Sequence, residues 1–321
     1  MKNWYLPEGG RLQSAENKEL TSTLSGLERA MNGSMILEGI VTMCDSELRL
    51  HVDLPCGEGI IDPEEALYCR AGEERKDIAI ITRVGKPVAF VVLGIETHNG
   101  EVTVRLSRRL AQLACMQYYL SHLRPGDILT AKVTHLEPFG AFLDVGCGVS
   151  SLLSVDCISV SRISHPRDRL RVGMELFVAV KAVDRESGRI YATLRELLGT
   201  WEENATAFET GQTVTGIIRS VESYGVFVEL APNLAGLAEL KNESVEDLRA
   251  KIGHSAAVYI KSIVPDRMKI KLVLIDTTCA DPPPRKLTYF VDPEATPHLS
   301  HWLYSPSGAH KVVETCFDQP V

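Results

Sequence analysis

Two aromatic pairs carry the chemistry that this sequence can do. Phe139 and Phe142 lie three apart around Gly140, and Tyr224 and Phe227 repeat the pattern around Gly225. An aromatic face stacks on any nucleobase, because every base has a π-face. Cations accompany both pairs: Lys132, Lys181, Arg189 and Arg195 with the first, Lys261, Lys269 and Lys271 with the second. Such cations meet phosphates or stack on bases. The glycine is expected to let the strand bulge, so that side chains three apart face one way. Burial in a core is the competing reading of a lone Phe pair; the repetition and the cations favour a binding face. A further basic set, Arg162, His165, Arg167, Arg169 and Arg171, shares one loop. It reads either as a phosphate clamp beside the aromatics or as a solvated connection with local ion pairs.

Catalysis has no comparable basis. No P-loop, H-E-x-x-H, G-x-S-x-G or Rossmann fingerprint occurs, so neither an enzyme activity nor a cofactor is expected. The eight cysteines include no C-x-x-C pair. His298, His301, His310 and Cys316 could supply four metal ligands, but their spacing matches no standard zinc pattern and no metal is expected.

An internal repeat supplies the elements that must hold the aromatics. Gly126, Gly140, Phe142 and Leu152 recur as Gly211, Gly225, Phe227 and Leu237, and Lys181, Arg189 and Leu194 recur as Lys261, Lys269 and Leu274. A fainter copy lies upstream, where Val41, Gly85 and Leu106 match Val133, Gly173 and Leu194. In the middle copy, segments 128–135, 139–145, 150–153, 176–184 and 189–195 read as strands. In the last of these Ile190, Ala192 and Leu194 take one face, and Arg189, Tyr191, Thr193 and Arg195 the other. Five short strands with an insertion after the third fit a small closed barrel of the OB type. The expected fold is therefore all-β: three tandem five-stranded barrels joined by a helix and short connections.

The expected boundaries follow. Residues 1–33 form an N-terminal segment with a helix over 14–31 through Leu20, Leu24 and Leu27, and 34–107 a degenerate barrel. Residues 108–124 form a linker helix, whose Leu110, Leu113, Ala114, Gln117 and Leu120 recur at helical spacing. Residues 125–197 and 210–276 form two further barrels around a linker at 198–209. A Pro- and aromatic-rich tail, 277–321, has no assignment beyond the prolines at 282–284, which end the last sheet.

Composition narrows the setting. The 321 residues are 45% hydrophobic and 24% charged, which excludes a mostly disordered chain. No apolar run is long enough to span a membrane, and the first twenty residues lack the apolar stretch of a secretory signal. A cytoplasmic protein with reduced thiols is expected. The net charge of −8 argues against coating nucleic acid by bulk charge. Most of it lies in the first unit, where residues 34–107 hold 13 acids and 7 bases, while the other two units balance. That unit has Glu47 and Leu50 at the aligned aromatic positions and Glu101 in place of Arg189. It is expected to contact protein, or to support the other units, rather than bind nucleic acid.

The middle unit, PGDILTAKVTHLEPFGAFLDVG followed by GMELFVAVKAVDRESGRIYATL, resembles the S1 RNA-binding domain, the family named for the largest protein of the bacterial small ribosomal subunit. The third unit, GQTVTGIIRSVESYGVFVEL, is similar, so the resemblance covers 125–275 strongly and 34–107 weakly. It implies an RNA-facing set of two aromatics, a histidine after the third strand, and an Asp and Arg around the fifth. Phe139, Phe142, Asp184 and Arg189 match; the histidine position holds Ser154 in one unit and Glu239 in the other. The implied function is single-stranded RNA binding, with mRNA the first expectation, as a translation accessory protein. Through its first unit it would contact the ribosome or another protein. The alternative is a protein–protein scaffold or regulator in transcription or RNA decay built from the same barrels, since one fold hosts many partners.

Overall fold

The computed structural model describes residues 5–70, 72, 74–98, 101–240, 244–277 and 287–318. It contains three closed five-stranded barrels. Barrel one comprises β1 (Leu37–Cys44), β2 (Leu50–Leu54), β3 (Gly57–Ile61), β4 (Pro87–His98) and β5 (Glu101–Ser107). Barrel two comprises β6 (Ile128–Glu137), β7 (Gly140–Asp144), β8 (Ser150–Ser154), β9 (Glu175–Asp184) and β10 (Arg189–Thr193). Barrel three comprises β11 (Thr213–Glu222), β12 (Gly225–Ala231), β13 (Leu234–Ala238), β14 (Ser255–Val264) and β15 (Lys269–Thr277). All three share one strand order, first-second-third-fifth-fourth, closed by the pairing of the first with the fourth. The third and fifth strands run parallel in each. Closure leaves these short sheets no exposed edge.

Alternation explains the cores. Along β6, Leu129, Ala131 and Val133 point inward and are buried; along β14, Ala256, Val258 and Ile260 do the same. Gly140 and Gly225 are needed for close approach. A Cβ on Gly140 would lie 2.5 Å from the Leu153 carbonyl oxygen, and one on Gly225 would lie 2.7 Å from that of Ala238.

The connecting segments depart from expectation in three places. The helix expected over 14–31 is two helices, α1 (Ala15–Thr21) and α2 (Leu24–Asn32), because Thr23 caps the second by accepting from the Gly26 amide. Along α4 (Arg108–His122) the deepest face is Arg108, Ala111, Gln112, Cys115, Met116 and Tyr119, not the leucine stripe. The helix lies in a junction where Glu8 holds Arg108 by two hydrogen bonds, 2.6 and 3.0 Å, so a buried ion pair outranks hydropathy. The last expected strand stops at Thr193; Arg195 begins a tight 3-10 turn, Arg195–Leu197.

Short helices α3 (Asp77–Ile81), α5 (Trp201–Ala205) and α6 (Val245–Arg249) occupy connections. The tail folds back as the hairpin β16 (His301–Leu303) and β17 (Glu314–Cys316), and buries Trp302 and Tyr304 in the core of barrel three. It also pairs with the start of barrel two, where Leu299 donates to the Gly126 carbonyl at 2.9 Å. The prolines at 282–284 lie outside the described residues.

Candidate nucleic-acid interface

The aromatic pairs take the same geometry twice. Phe139 and Phe142 have ring centroids 6.1 Å apart at 90°, and Tyr224 and Phe227 are 6.2 Å apart at 88°. Phe139 and Tyr224 are 55% and 62% exposed, which excludes the core reading for both. The cause differs from the glycine bulge expected above. Phe139 and Tyr224 sit in the turns between the first two strands, while Phe142 and Phe227 sit in the second strand. The bulge lies instead in the first strand, between Val133 and His135 and between Ile218 and Ser220.

Register shows what flanks each inner ring. Reading across barrel two, His135, Phe142, Leu152 and Tyr191 are cross-strand partners in one row. In barrel three the row is Ser220, Phe227, Leu237 and Lys271. Side chains in such a row share a face. Tyr191, read from the sequence on the face of Arg189, thus joins the first platform, and so does His135, unannounced by sequence; the His135 ring lies 6.4 Å from that of Phe142. The signal for His135 is the bulge, which moves it onto the ring's row.

The cations divide. Lys181 and Lys261 are the extra residues of bulges in the fourth strands, are exposed, and occupy equivalent positions. Lys181 Nζ lies 3.0 Å from Cys157 Sγ, and that hydrogen bond raises its pKa. Cys157 ends the turn that Val155 opens, and Val155 donates to the Phe139 carbonyl at 3.0 Å. Lys261 and Lys271 line a hollow of about 230 Å³ with Glu239, Tyr259, Leu272 and Val273. Lys269 is exposed two residues before Lys271, and Arg189 two residues before Tyr191. Asp184 caps its own turn, accepting from the Glu186 and Ser187 amides at 3.1 Å; bonds from the Ser187 hydroxyl and amide hold its carboxyl below the usual range.

Three expected contacts lie elsewhere. Lys132 donates to the Glu8 carbonyl at 3.3 Å, at the junction with barrel one. Arg195, off the strand, is drawn to Glu196 at 3.1 Å and to Thr315 of the tail hairpin. Arg169 is buried with Glu229 of barrel three, which also accepts from Arg219 at 2.6 Å. A buried ion pair of this kind is closed to phosphate, so the clamp loses its centre. His165 caps the turn Pro166–Asp168 and contacts Arg167. Arg162, Arg167 and Arg171 remain exposed.

Barrel one sets a different group at the platform. Its row is Met43, His51, Ile60 and Arg105, so His51 stands where Phe142 does. Leu50, the residue aligned there by sequence, is fully buried. His51 Nδ1 is 2.7 Å from Glu58 and Nε2 is 3.3 Å from Asp45; the Glu58 bond, offset in part by burial, raises the imidazole pKa. Leu93 takes the bulge position of Lys181.

Barrels of this order with aromatic and basic rows form a class of nucleic-acid-binding module. The family is specific: residues 122–195 match the model of the S1 RNA binding domain, so the middle barrel belongs to that family. The chain is 30% identical over 195 residues to the small ribosomal subunit protein bS1 of Leuconostoc lactis, covering 58% of this chain and 45% of that one. It is 31% identical over 165 residues to the bS1 homolog of Bacillus subtilis, covering 50% and 42%. It thus spans less than half the length of these relatives. Among solved structures, GSP13 from Bacillus subtilis aligns at 31% identity and a TM-score of 0.22, over 23% of this chain and 57% of that one.

Proposed function

We propose that the chain binds single-stranded RNA, mRNA foremost, across the Phe139/Phe142 and Tyr224/Phe227 faces, as a cytoplasmic accessory of translation. The supporting observation is the duplicated pair: near-perpendicular rings 6.1 and 6.2 Å apart, each with a lysine at the same bulge. Phe139 and Tyr224 each offer a base an open ring face. Lys181 in barrel two, and Lys261, Lys269 and Lys271 in barrel three, then take the phosphates.

Stacking contributes ~1–3 kcal/mol per base, so one platform falls short of the ~8 kcal/mol of a micromolar complex. Linking two platforms makes the second contact intramolecular. The junction of barrels two and three suits that role. Beside the Arg169–Glu229–Arg219 cluster, Asn233 accepts from the Val160 amide at 2.9 Å and donates to the Arg195 and Gly199 carbonyls at 2.8 Å.

Barrel one serves as a protein contact, to the ribosome or to another factor. Ile78 and Ile81 of α3 and Val84 just after it favour this reading, because all three are exposed. Such a cluster suits protein better than RNA.

The test is fluorescence anisotropy of a labelled single-stranded RNA of about a dozen nucleotides with the whole chain, at two salt concentrations. Tight, salt-sensitive binding supports the proposal. No binding at low salt by folded protein would overturn it and leave the barrels as a scaffold.

A further inference from the structure

The four tail residues that sequence offered as metal ligands are not brought together, but a different trio is. His298 is committed elsewhere, with Nδ1 2.8 Å from Asp127 and Nε2 3.2 Å from Asp318. His310 sits beside Asp266. On the hairpin, however, His301 and Cys316 are direct cross-strand partners, and Glu314 is two residues before Cys316 on the same face. The imidazole, carboxylate and thiol donor atoms all lie within 4.8 Å of one another, and all three residues are exposed. His301 Nε2 already lies 2.9 Å from Glu314.

The opposite face of the hairpin is anchored. Trp302 is buried in barrel three, and the Thr315 hydroxyl donates to Glu196 at 2.9 Å. The trio therefore stands on a held scaffold rather than a loose tail.

We propose that His301, Glu314 and Cys316 form a zinc site that clamps the C-terminal hairpin. The donors are one nitrogen, one oxygen and one sulfur, the three types zinc takes. Bonds of ~2.0–2.3 Å at tetrahedral angles put ligand atoms about 3.4–3.7 Å apart, within reach of small rotamer shifts from the present spacing. A thiolate and a carboxylate together balance the charge of the divalent ion. Zinc takes its ligands deprotonated, so affinity rises with pH. Three protein ligands leave the fourth position to water.

The probe is Co²⁺, titrated into chelator-treated, reduced full-length protein, because a thiolate on cobalt gives a charge-transfer absorption that zinc then erases. One equivalent of Co²⁺ per chain should produce this band, and Zn²⁺ should abolish it. Cys316→Ser should remove the band. His301→Ala should weaken binding by more than about 100-fold, beyond the ~10–100-fold that loss of an outer partner causes. Zn²⁺ should also slow amide exchange in 301–316 of the wild-type chain and not of Cys316→Ser. Both variants lie on the exposed face, and unchanged RNA binding would show them folded. A cobalt band that survives Cys316→Ser, or no band at about 100 µM metal, would overturn the site.

Discussion

Barrel one and barrels two and three share a strand order and a first-strand bulge, yet their equivalent rows carry opposite chemistry. Where barrel two sets Phe142 between His135 and Leu152, and barrel three sets Phe227 between Ser220 and Leu237, barrel one sets His51 between Met43 and Ile60. The ring in barrel one is engaged by Glu58 and Asp45, and its bulge carries Leu93 instead of lysine. The same backbone thus presents a π-face with cations twice and a carboxylate-bound imidazole once. Fold sets the position, and a few side chains decide what it can bind.

Removing the rings tests that contrast most severely. Phe139→Ala/Phe142→Ala and Tyr224→Ala/Phe227→Ala should each weaken RNA binding at least about 30-fold, the lower end of two stacked bases. His51→Ala should change it less than about twofold. Equal losses from all three barrels, measured by anisotropy, would erase the distinction.

The junctions differ as well, and pH should separate them. Barrels two and three meet through the Arg169–Glu229–Arg219 cluster. Barrel one meets barrel two through N-terminal residues 8–11, whose Gly9 and Arg11 amides donate to Glu38 of β1 at 3.1 and 2.9 Å. Burial pushes the Glu38 carboxyl up to about 7, and burial with the nearby Glu8 does the same for Asp144, which accepts from the Glu8 amide at 2.7 Å. An acid whose folded pKa exceeds its unfolded value holds extra protons in the fold, so stability falls as pH rises between the two. The stabilisation from Glu38 is full below about pH 4.5 and gone above about 7, on the order of 2 kcal/mol between pH 5.5 and 8. Thermal melts should show that decline, and Glu38→Gln should make it shallower, leaving the part that Asp144 contributes. A melt equally steep with Glu38→Gln would assign the slope to other groups.

Charge reversal should act next. Lys261→Glu/Lys271→Glu gives barrel three some of the acidity of barrel one. Binding should weaken about tenfold, and the salt slope should fall by ~0.7 for each lost phosphate contact. An unchanged slope would remove these lysines from the interface.

Much of this was legible in the sequence, for physical reasons. Alternation and the repeat gave three barrels, because β-periodicity is a local property. Phe139, Phe142, Tyr224 and Phe227 were legible because their spacing from Gly140 and Gly225 recurs. Long-range partners were not. Arg169 looks like any loop arginine until Glu229, sixty residues on, closes over it. Arg108 and Gln112 look like solvent positions until Glu8 and the barrel-two loop cover them. His51 was missed because the loop 45–49 before its strand shifts the alignment by one residue along β2 and turns the side chains of that strand to the other face, until β3 restores the register at Ile60. The tail hairpin is held by Trp302 and Tyr304 in a core that no local pattern announces.

The smallest effect is the most discriminating, because it asks for a gain. His51→Phe, Glu58→Gln and Leu93→Lys would rebuild the row of barrel one on the pattern of barrel two. Asp45 should be kept, since its carboxylate accepts from the Glu47 and Arg49 amides at 2.9 Å and holds the loop 45–49. In a chain whose other two platforms are already alanine, the triple change should raise residual RNA affinity about threefold. The net charge of −6 over 34–107 still repels phosphate and limits the gain. A gain confined to low salt would show ring and field acting separately. No gain, from a chain whose melt shows barrel one intact, would mean that the acidic field of the unit, and not the composition of its row, keeps RNA away.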